Sequence, residues 1–135
     1  MKPRRWNPET VAPPLGRYSH LAEVPAGHRL VFLAGQLGVA PDGELAADAE
    51  AQARQIFANL EALLAAEGAG PEHLVKLLTL VAGTEHLAGY RVAQAEAFAK
   101  WFPEGDFPAQ TLAVVAALAG PDYAVEVEAI AAVPT

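Results

Sequence analysis

The most regular pattern of apolar positions in the chain predicts an amphipathic helix in its first half. After Asp48, which suits a helix N-cap, apolar residues recur at helical spacing until Gly68 and Gly70 end the pattern. These apolar positions are Ala49, Ala53, Ile56, Phe57, Leu60, Leu63 and Leu64. The opposite face is charged, with Glu50 four residues before Arg54 in the order that favours an ion pair. We therefore expect this helix to lay one face on a core.

A second helix is predicted from Thr84 to about Phe102, where Pro103 and Gly105 end it. Gly89 lies inside this pattern and costs about 1 kcal/mol relative to Ala in a helix. We therefore expect a break or a kink at that position.

Short apolar runs predict the strands. Residues 29–35 and 74–81 are apolar and partly β-branched, and residues 123–130 alternate with period two. That alternation places Val125 and Val127 on one face and Glu126 and Glu128 on the other. Residues 111–118 could form a strand or an Ala-rich helix, and the β-branched Val114 and Val115 favour a strand. Residues 18–24 are a candidate hairpin partner for 29–35, joined through Pro25, Ala26 and Gly27, and Pro41 to Gly43 form a tight turn.

The order β-β-(β)-α-β-α-β-β is typical of an α+β domain in which two helices cover one face of a mixed sheet. A chain of 135 residues buries only about 68% of its unfolded surface, so we expect a symmetric oligomer to cover the other face. The first ten residues hold Lys2, Arg4, Arg5 and two prolines. Residues 1–12 are therefore predicted to form an extended N-terminal arm.

Composition excludes several classes of function. Hydrophobic residues make up 53% of the chain, which excludes general disorder, and the absence of Cys excludes disulfides and thiolate chemistry. A formal charge of −7 disfavours nucleic-acid binding. No apolar run reaches the roughly 18 residues of a membrane helix, and no signal peptide is recognisable, so we expect a cytoplasmic protein. The four His residues have no i,i+4 pair, so neither a metal nor another cofactor is predicted.

Four segments of the chain resemble, in this order, the Rid family of small trimeric proteins. They are Ala12–His20 (APPLGRYSH), Phe32–Gln36 (FLAGQ), Glu50–Gln55 with Asn59 and Leu60, and Val125–Ala131. Rid proteins are reactive intermediate or imine deaminases, also known as YjgF-type proteins and once described as translation initiation inhibitors. The resemblance covers residues 13–133 as a single domain. It implies a chorismate-mutase-like fold, with a mixed six-stranded sheet and two helices on one face. It also implies a cytoplasmic homotrimer with ligand pockets between subunits.

The resemblance also implies a catalytic site for hydrolysis of imines of the 2-iminobutanoate or enamine type. In the family, a Glu of the last strand positions the hydrolytic water, and Glu126 matches it. An Arg in a Pro-Ala-Arg-Ser/Thr segment holds the substrate carboxylate, but here Gln110 stands in that place. A neutral amide lacks the charged fork of Arg, so a carboxylate ligand should bind roughly 10 to 100-fold more weakly. The other matching pocket residues are Tyr18, Gly35, Gln36, Thr111 and Leu112.

Further departures leave the chemistry open. Ala34 and Ala95 replace a Ser and an Asn of the family, so the pocket is expected to be more apolar and less cationic than in deaminating members. Arg17 and Arg91 could supply a replacement guanidinium from a new direction or could be ordinary surface residues. Glu126 could be a general base or a solvated strand residue paired across the sheet.

The sequence allows two roles for each of two further residues of the expected pocket. Tyr18 could bind a ligand or only pack, and Gln110 could select a neutral ligand or mark a vestigial site. Two functions follow for the whole protein. One is a Rid-like imine deaminase with altered or lost activity, and the other is a non-catalytic ligand-binding or interaction module.

Overall fold

The computed structural model describes residues 1–135 and has the α+β architecture that the sequence predicts. Six strands and two α-helices follow one another along the chain. They are β1 (Arg4–Trp6), β2 (Leu21–Glu23), β3 (His28–Gln36), α1 (Ala49–Ala66), β4 (Leu74–Ala82), α2 (Leu87–Trp101), β5 (Ala109–Val115) and β6 (Val125–Pro134). Single 3₁₀ turns at Pro71–His73 and Thr84–His86 lead into β4 and α2. No helix has the length and apolar content needed to span a membrane.

The six strands lie in two sheets instead of the single six-stranded sheet that the resemblance implied. Four form a mixed sheet in the order β3-β6-β4-β5, in which only β4 and β5 are parallel. β1 and β2 form a separate antiparallel ribbon. A lone bridge between Ser19 and Ala109 connects this ribbon to β5, which is too little pairing to continue the sheet.

The predicted hairpin between residues 18–24 and 29–35 is wrong. β2 pairs with the N-terminal strand β1, and β3 pairs with the C-terminal strand β6. Arg4 lies opposite Glu23 in the β1–β2 register, and their side chains form an exposed ion pair at 3.2 Å. The partner of each strand is thus distant in sequence, which a local turn signal does not reveal.

The N-terminal arm is extended, as its composition indicates, but it is fastened to the domain through Arg5. The Arg5 side chain is only 1% exposed, and it donates hydrogen bonds to the backbone carbonyls of Leu74, Glu72 and Asp106. Its guanidinium also lies 5.0 Å from the ring centroid of Phe102. Burial lowers the pKa of Arg5, while the nearby carboxylate of Asp106 opposes that change.

The two helices pack on one face of the four-stranded sheet. Asp48 caps α1 by accepting a hydrogen bond from the Ala51 N–H at 2.8 Å, as predicted. The expected break at Gly89 is wrong, because α2 runs through it without interruption. A Cβ at residue 89 would lie 3.0 Å from the backbone nitrogen of Glu50. The glycine therefore lets α2 approach the first turn of α1 closely.

The opposite face of the sheet is open in the single chain. Residues of β4 and β6 are buried at alternate positions beneath the helices, and the intervening positions face outward. On β3, the outward side chains of Leu30 and Phe32 are 50% and 71% exposed. An apolar sheet face is therefore uncovered beside Glu126 and Glu128 of β6.

Candidate functional site

A cavity of about 440 Å³ lies at the β5 edge of the sheet, and we call it the edge cavity. The loop before β2, the helix α2 and the strand β5 form its walls. Four of the predicted site residues line it, namely Tyr18, Gln110, Thr111 and Leu112. The remaining lining residues are Leu15, Gly16, Arg17, Arg91 and Gln94.

The edge cavity is cationic. Arg17 reaches it from the loop before β2, and Arg91 reaches it from α2. No Asp or Glu lines the cavity, and neither guanidinium forms an ion pair with a carboxylate of the chain. Two Arg residues distant in sequence thus line the same cavity as Gln110, the residue that stands in place of the family's Arg.

A chain of buried polar groups leads from the core to Gln110. Thr79 donates its hydroxyl proton to Oε1 of Gln110 at 3.4 Å, and its oxygen lies 3.3 Å from the hydroxyl of Tyr90. Because the single proton of Thr79 is used, Tyr90 is the donor to Thr79. Burial raises the pKa of Tyr90 to about 12, and hydrogen bonds with Thr79 and Gln94 oppose that rise. The phenol thus carries a proton at neutral pH and can donate it to Thr79, as this order of hydrogen bonds requires.

The direction of these hydrogen bonds decides which end of the Gln110 amide is free. Oε1 accepts from Thr79, whereas Nε2 makes no hydrogen bond within the chain and is not buried. Gln110 therefore offers two neutral N–H donors at the edge cavity.

Two hydroxyl groups, those of Tyr18 and Thr111, also line the edge cavity, and a Lys outside the lining contacts one of them. The Tyr18 oxygen accepts a hydrogen bond from the Leu15 N–H at 3.2 Å, which leaves its own proton free to donate. The ring of Tyr18 also packs edge-on against His20, with centroids 5.6 Å apart, so the residue has a packing role as well. Lys76 donates to Oγ1 of Thr111 at 3.0 Å and has no carboxylate partner. The groups around this cavity are thus mainly hydrogen-bond donors.

Glu126 and Gly35 lie together, but not in the edge cavity. They line a separate cleft of about 100 Å³ on the open face of the sheet, with Leu78, Leu80 and Glu128. A Cβ at Gly35 would clash with the Glu126 carboxylate, so only glycine allows this approach. Glu126 has no ion pair or hydrogen bond within the chain, so the pairing across the sheet that the sequence allowed is absent.

Six of the seven predicted site residues therefore fall into two groups in one chain. Strand β4 lies between β5, which carries Gln110, and β6, which carries Glu126: Leu78 of β4 pairs with Thr111 on one side and with Glu128 on the other. Strands β5 and β6 are therefore two strand spacings apart, which is about 10 Å. Gln36 lines neither cavity, and its Nε2 donates to the carbonyl of Ala34 at 3.0 Å. No group of three His, Asp or Glu side chains is close enough to hold a metal ion.

Sequence reasoning missed the residues that orient Gln110. Gln94 and Tyr90 are buried on α2, and Thr79 is buried on β4. A signal for them exists, because Gln94 and Thr79 are polar residues at positions whose helical or strand period faces the core. Polar groups on a buried stripe require hydrogen-bond partners and therefore indicate a network.

Comparison with known protein families gives a match over residues 9–133 to the family described as Endoribonuclease L-PSP. The chain is 35% identical over 117 residues to Protein HMF1 of Saccharomyces cerevisiae, covering 85% of this chain and 83% of the yeast protein. It is 30% identical over 127 residues to a RutC family protein of Synechocystis, covering 90% of each.

Solved structures show the same relationship. A Yersinia pestis protein of the conserved Rid family superposes with a TM-score of 0.85 at 34% identity, over 98% of this chain and 100% of the other. Escherichia coli TdcF, solved with bound serine, gives a TM-score of 0.69 at 28% identity, over 88% and 90%. The chain therefore belongs to the Rid family, also known as the YjgF or L-PSP family.

Proposed function

We propose that this protein binds a small organic carboxylate in the edge cavity and hydrolyses the corresponding imine. Arg17 and Arg91 take over the role of the Arg that is absent at position 110. The observation that carries the proposal is that both Arg residues line the same cavity and lack a carboxylate partner. An unpaired guanidinium in a concave site favours an anion with two coplanar oxygens, which is the geometry of a carboxylate.

The neutral donors of the edge cavity suit the rest of such a ligand. Nε2 of Gln110 and the hydroxyl of Tyr18 can bind a carboxylate oxygen or another polar atom beside it. The E. coli relative TdcF was solved with serine, an amino acid that carries a carboxylate. An amino-acid-derived imine has the same carboxylate beside its reactive carbon.

The hydrolytic step needs Glu126, which we propose comes from a neighbouring copy in a homotrimer. Phe32 and Leu30 leave an apolar sheet face exposed beside Glu126, and such a face favours association of identical chains. The cationic edge cavity of one copy and the unpaired carboxylate of the next are complementary in charge. The site is then shared between subunits.

In the reaction, the carboxylate of Glu126 accepts a proton from water as the water oxygen adds to the imine carbon. The C=N double bond becomes a single bond as Glu126 passes this proton to the nitrogen, which regenerates the carboxylate. The carboxylate then accepts the hydroxyl proton of the carbinolamine and passes it to the amino nitrogen, so that the C–N bond breaks, ammonia leaves and a C=O bond forms. One imine and one water thus give one 2-oxo acid and one ammonia.

A second candidate function is ligand binding without turnover. It is favoured by the distance between Glu126 and the edge cavity within one chain, and by the loss of Arg at position 110. It predicts saturable binding of a carboxylate with no release of ammonia.

The test is an ammonia-release assay on imines generated in situ from neutral amino acids, with light scattering to measure the oligomeric state. We expect a trimer that releases ammonia, and loss of at least tenfold in rate in Glu126→Gln. The matched control is Glu128→Gln, the same change two residues along the same face, which should keep most of the activity. A silent wild-type trimer that still binds a carboxylate would favour the binding module.

A further inference from the structure

A second cavity, of about 330 Å³, adjoins the edge cavity at Arg17. Arg17 lines both cavities, so its side chain lies at their boundary. The walls of the second cavity are almost entirely apolar, and we call it the aromatic cavity. Its other lining residues are Ala95, Phe98, Ala99, Phe102, Pro103, Gly105 and Phe107.

Three phenylalanines form a fixed wall of the aromatic cavity. The rings of Phe98 and Phe107 are stacked with centroids 5.7 Å apart, and Phe102 meets both edge-on at 5.1 and 6.0 Å. Phe98 and Phe102 are 1% and 3% exposed, so their rings are held by the core. A preformed aromatic wall of this kind binds an apolar group without first having to order.

Helix α2 joins the two cavities along one of its faces. Arg91 and Gln94 line the edge cavity, and Ala95 and Ala99 line the aromatic cavity. Arg91 and Ala95 are one helical turn apart, a rise of roughly 6 Å, which is close to the length of a phenyl group with its methylene carbon. The small side chains of Ala95 and Ala99 leave the second cavity open.

We infer that the ligand carries an aromatic side chain as well as a carboxylate. Its carboxylate lies at Arg17 and Arg91, and its ring lies in the aromatic cavity beyond Arg17. This inference rests on the proposed function and names its substrate class, the imines of aromatic amino acids. The volume is sufficient, since an apolar cavity of about 150 Å³ already accepts benzene. The apolar cavity adjoins a cationic one at Arg17, and this combination suits a small amphipathic anion.

The test compares the affinities of phenylpyruvate and pyruvate, two stable 2-oxo acids that differ only in the phenyl group. We expect phenylpyruvate to bind about tenfold or more tightly, because the phenyl group is removed from water. Ala95→Leu and Ala99→Leu each fill the aromatic cavity. Each should therefore lower the ratio of the phenylpyruvate affinity to the pyruvate affinity toward one. Ala99 is exposed, so at least that variant is expected to fold.

The matched control is Ala58→Leu, the same change at an exposed position of α1 that lines a different surface groove. It should keep the preference of the wild type. Equal affinity for the two acids, or a preference that survives both Leu variants, would overturn the inference while the proposed carboxylate site stands. Absence of binding by either acid would instead contradict the proposed function, and the inference with it.

Discussion

Gly35 of β3 lies directly beneath the carboxylate of Glu126 on β6, with no room for a Cβ between them. The close approach fixes where the carboxylate sits on the open face of the sheet. Gly35→Ala should therefore displace the carboxylate and lower the rate of imine hydrolysis at least tenfold, since a shift of about 1 Å in a catalytic group can cost that much. Ammonia release measures the rate.

The same substitution should change stability little. Gly35 is exposed and has no positive φ, and the atoms that a Cβ would meet belong to the flexible end of the Glu126 side chain. We expect the free energy of unfolding to stay within about 1 kcal/mol of the wild type. A variant that keeps full activity would show that the position of Glu126 does not matter to the reaction.

Thr79 is expected to orient Gln110, and Thr79→Val tests this. Valine keeps the shape but removes the donor to Gln110 and the acceptor for the buried Tyr90 hydroxyl. We expect a loss of about 1–3 kcal/mol in unfolding free energy, measured by urea denaturation, because the buried phenol loses the acceptor of its proton and keeps only Gln94 as a hydrogen-bond partner. Ser at this position keeps the hydroxyl and should restore the orientation of Gln110, so carboxylate affinity should recover in Thr79→Ser. Equal carboxylate affinities in the Val and Ser variants would contradict the role of Thr79 in orienting Gln110.

Stability should fall at high pH because of Tyr90. Burial raises the pKa of Tyr90 from 10.0 in the unfolded chain to about 12 in the folded one. Above pH 10 the unfolded chain loses this proton while the folded chain keeps it, so the stabilisation present below pH 10 is lost between pH 10 and 12. A shift of this size corresponds to roughly 2–3 kcal/mol. Urea denaturation from pH 8 to 12 measures it, and Tyr90→Phe should flatten that part of the profile.

Arg5 should matter much more to stability than its neighbour Arg4. Arg5→Met leaves three backbone carbonyl groups without their donor, so we expect a loss of about 2–4 kcal/mol and increased proteolysis of residues 1–8. Arg4→Met is the matched control, because the contacts of Arg4 are at the surface: an exposed ion pair with Glu23, worth at most about 1 kcal/mol, and the ring of Trp6, whose centroid lies 4.2 Å away. Equal melting temperatures of the two variants would show that Arg5 does not hold the N-terminal arm on the domain.

The elements that depend on local signals could be predicted from the sequence. Asp48 begins α1 as expected because a cap is a contact over three residues, and the alternation in β6 correctly placed Glu126 on the outward face. The partners of β2 and β3, and the reason for Gly89, could not be predicted, because each depends on packing between distant segments. A glycine where two helices touch looks the same in sequence as one that breaks a helix.

In the candidate site, too, local motifs could be predicted from the sequence, whereas contacts between distant segments could not. Four of the residues that the resemblance named, Tyr18, Gln110, Thr111 and Leu112, line one cavity, and their role in binding stays a prediction. The sequence could not show that Arg17 and Arg91 meet at that cavity, since a loop and a helix far apart in the chain supply them. The family motif alone indicates the loss of one Arg at position 110, and the tertiary structure adds Arg17 and Arg91 to the same cavity.

Affinity for a small carboxylate is the most direct test of the account. Pyruvate binding, measured by titration calorimetry, should fall more than tenfold in the double variant Arg17→Gln/Arg91→Gln, because charge-assisted hydrogen bonds contribute roughly 1.5–3 kcal/mol each. The control Arg4→Gln/Lys100→Gln removes the same two charges from surface ion pairs and should bind within about twofold of the wild type. Equal affinity in the wild type and the Arg17/Arg91 variant would contradict the account.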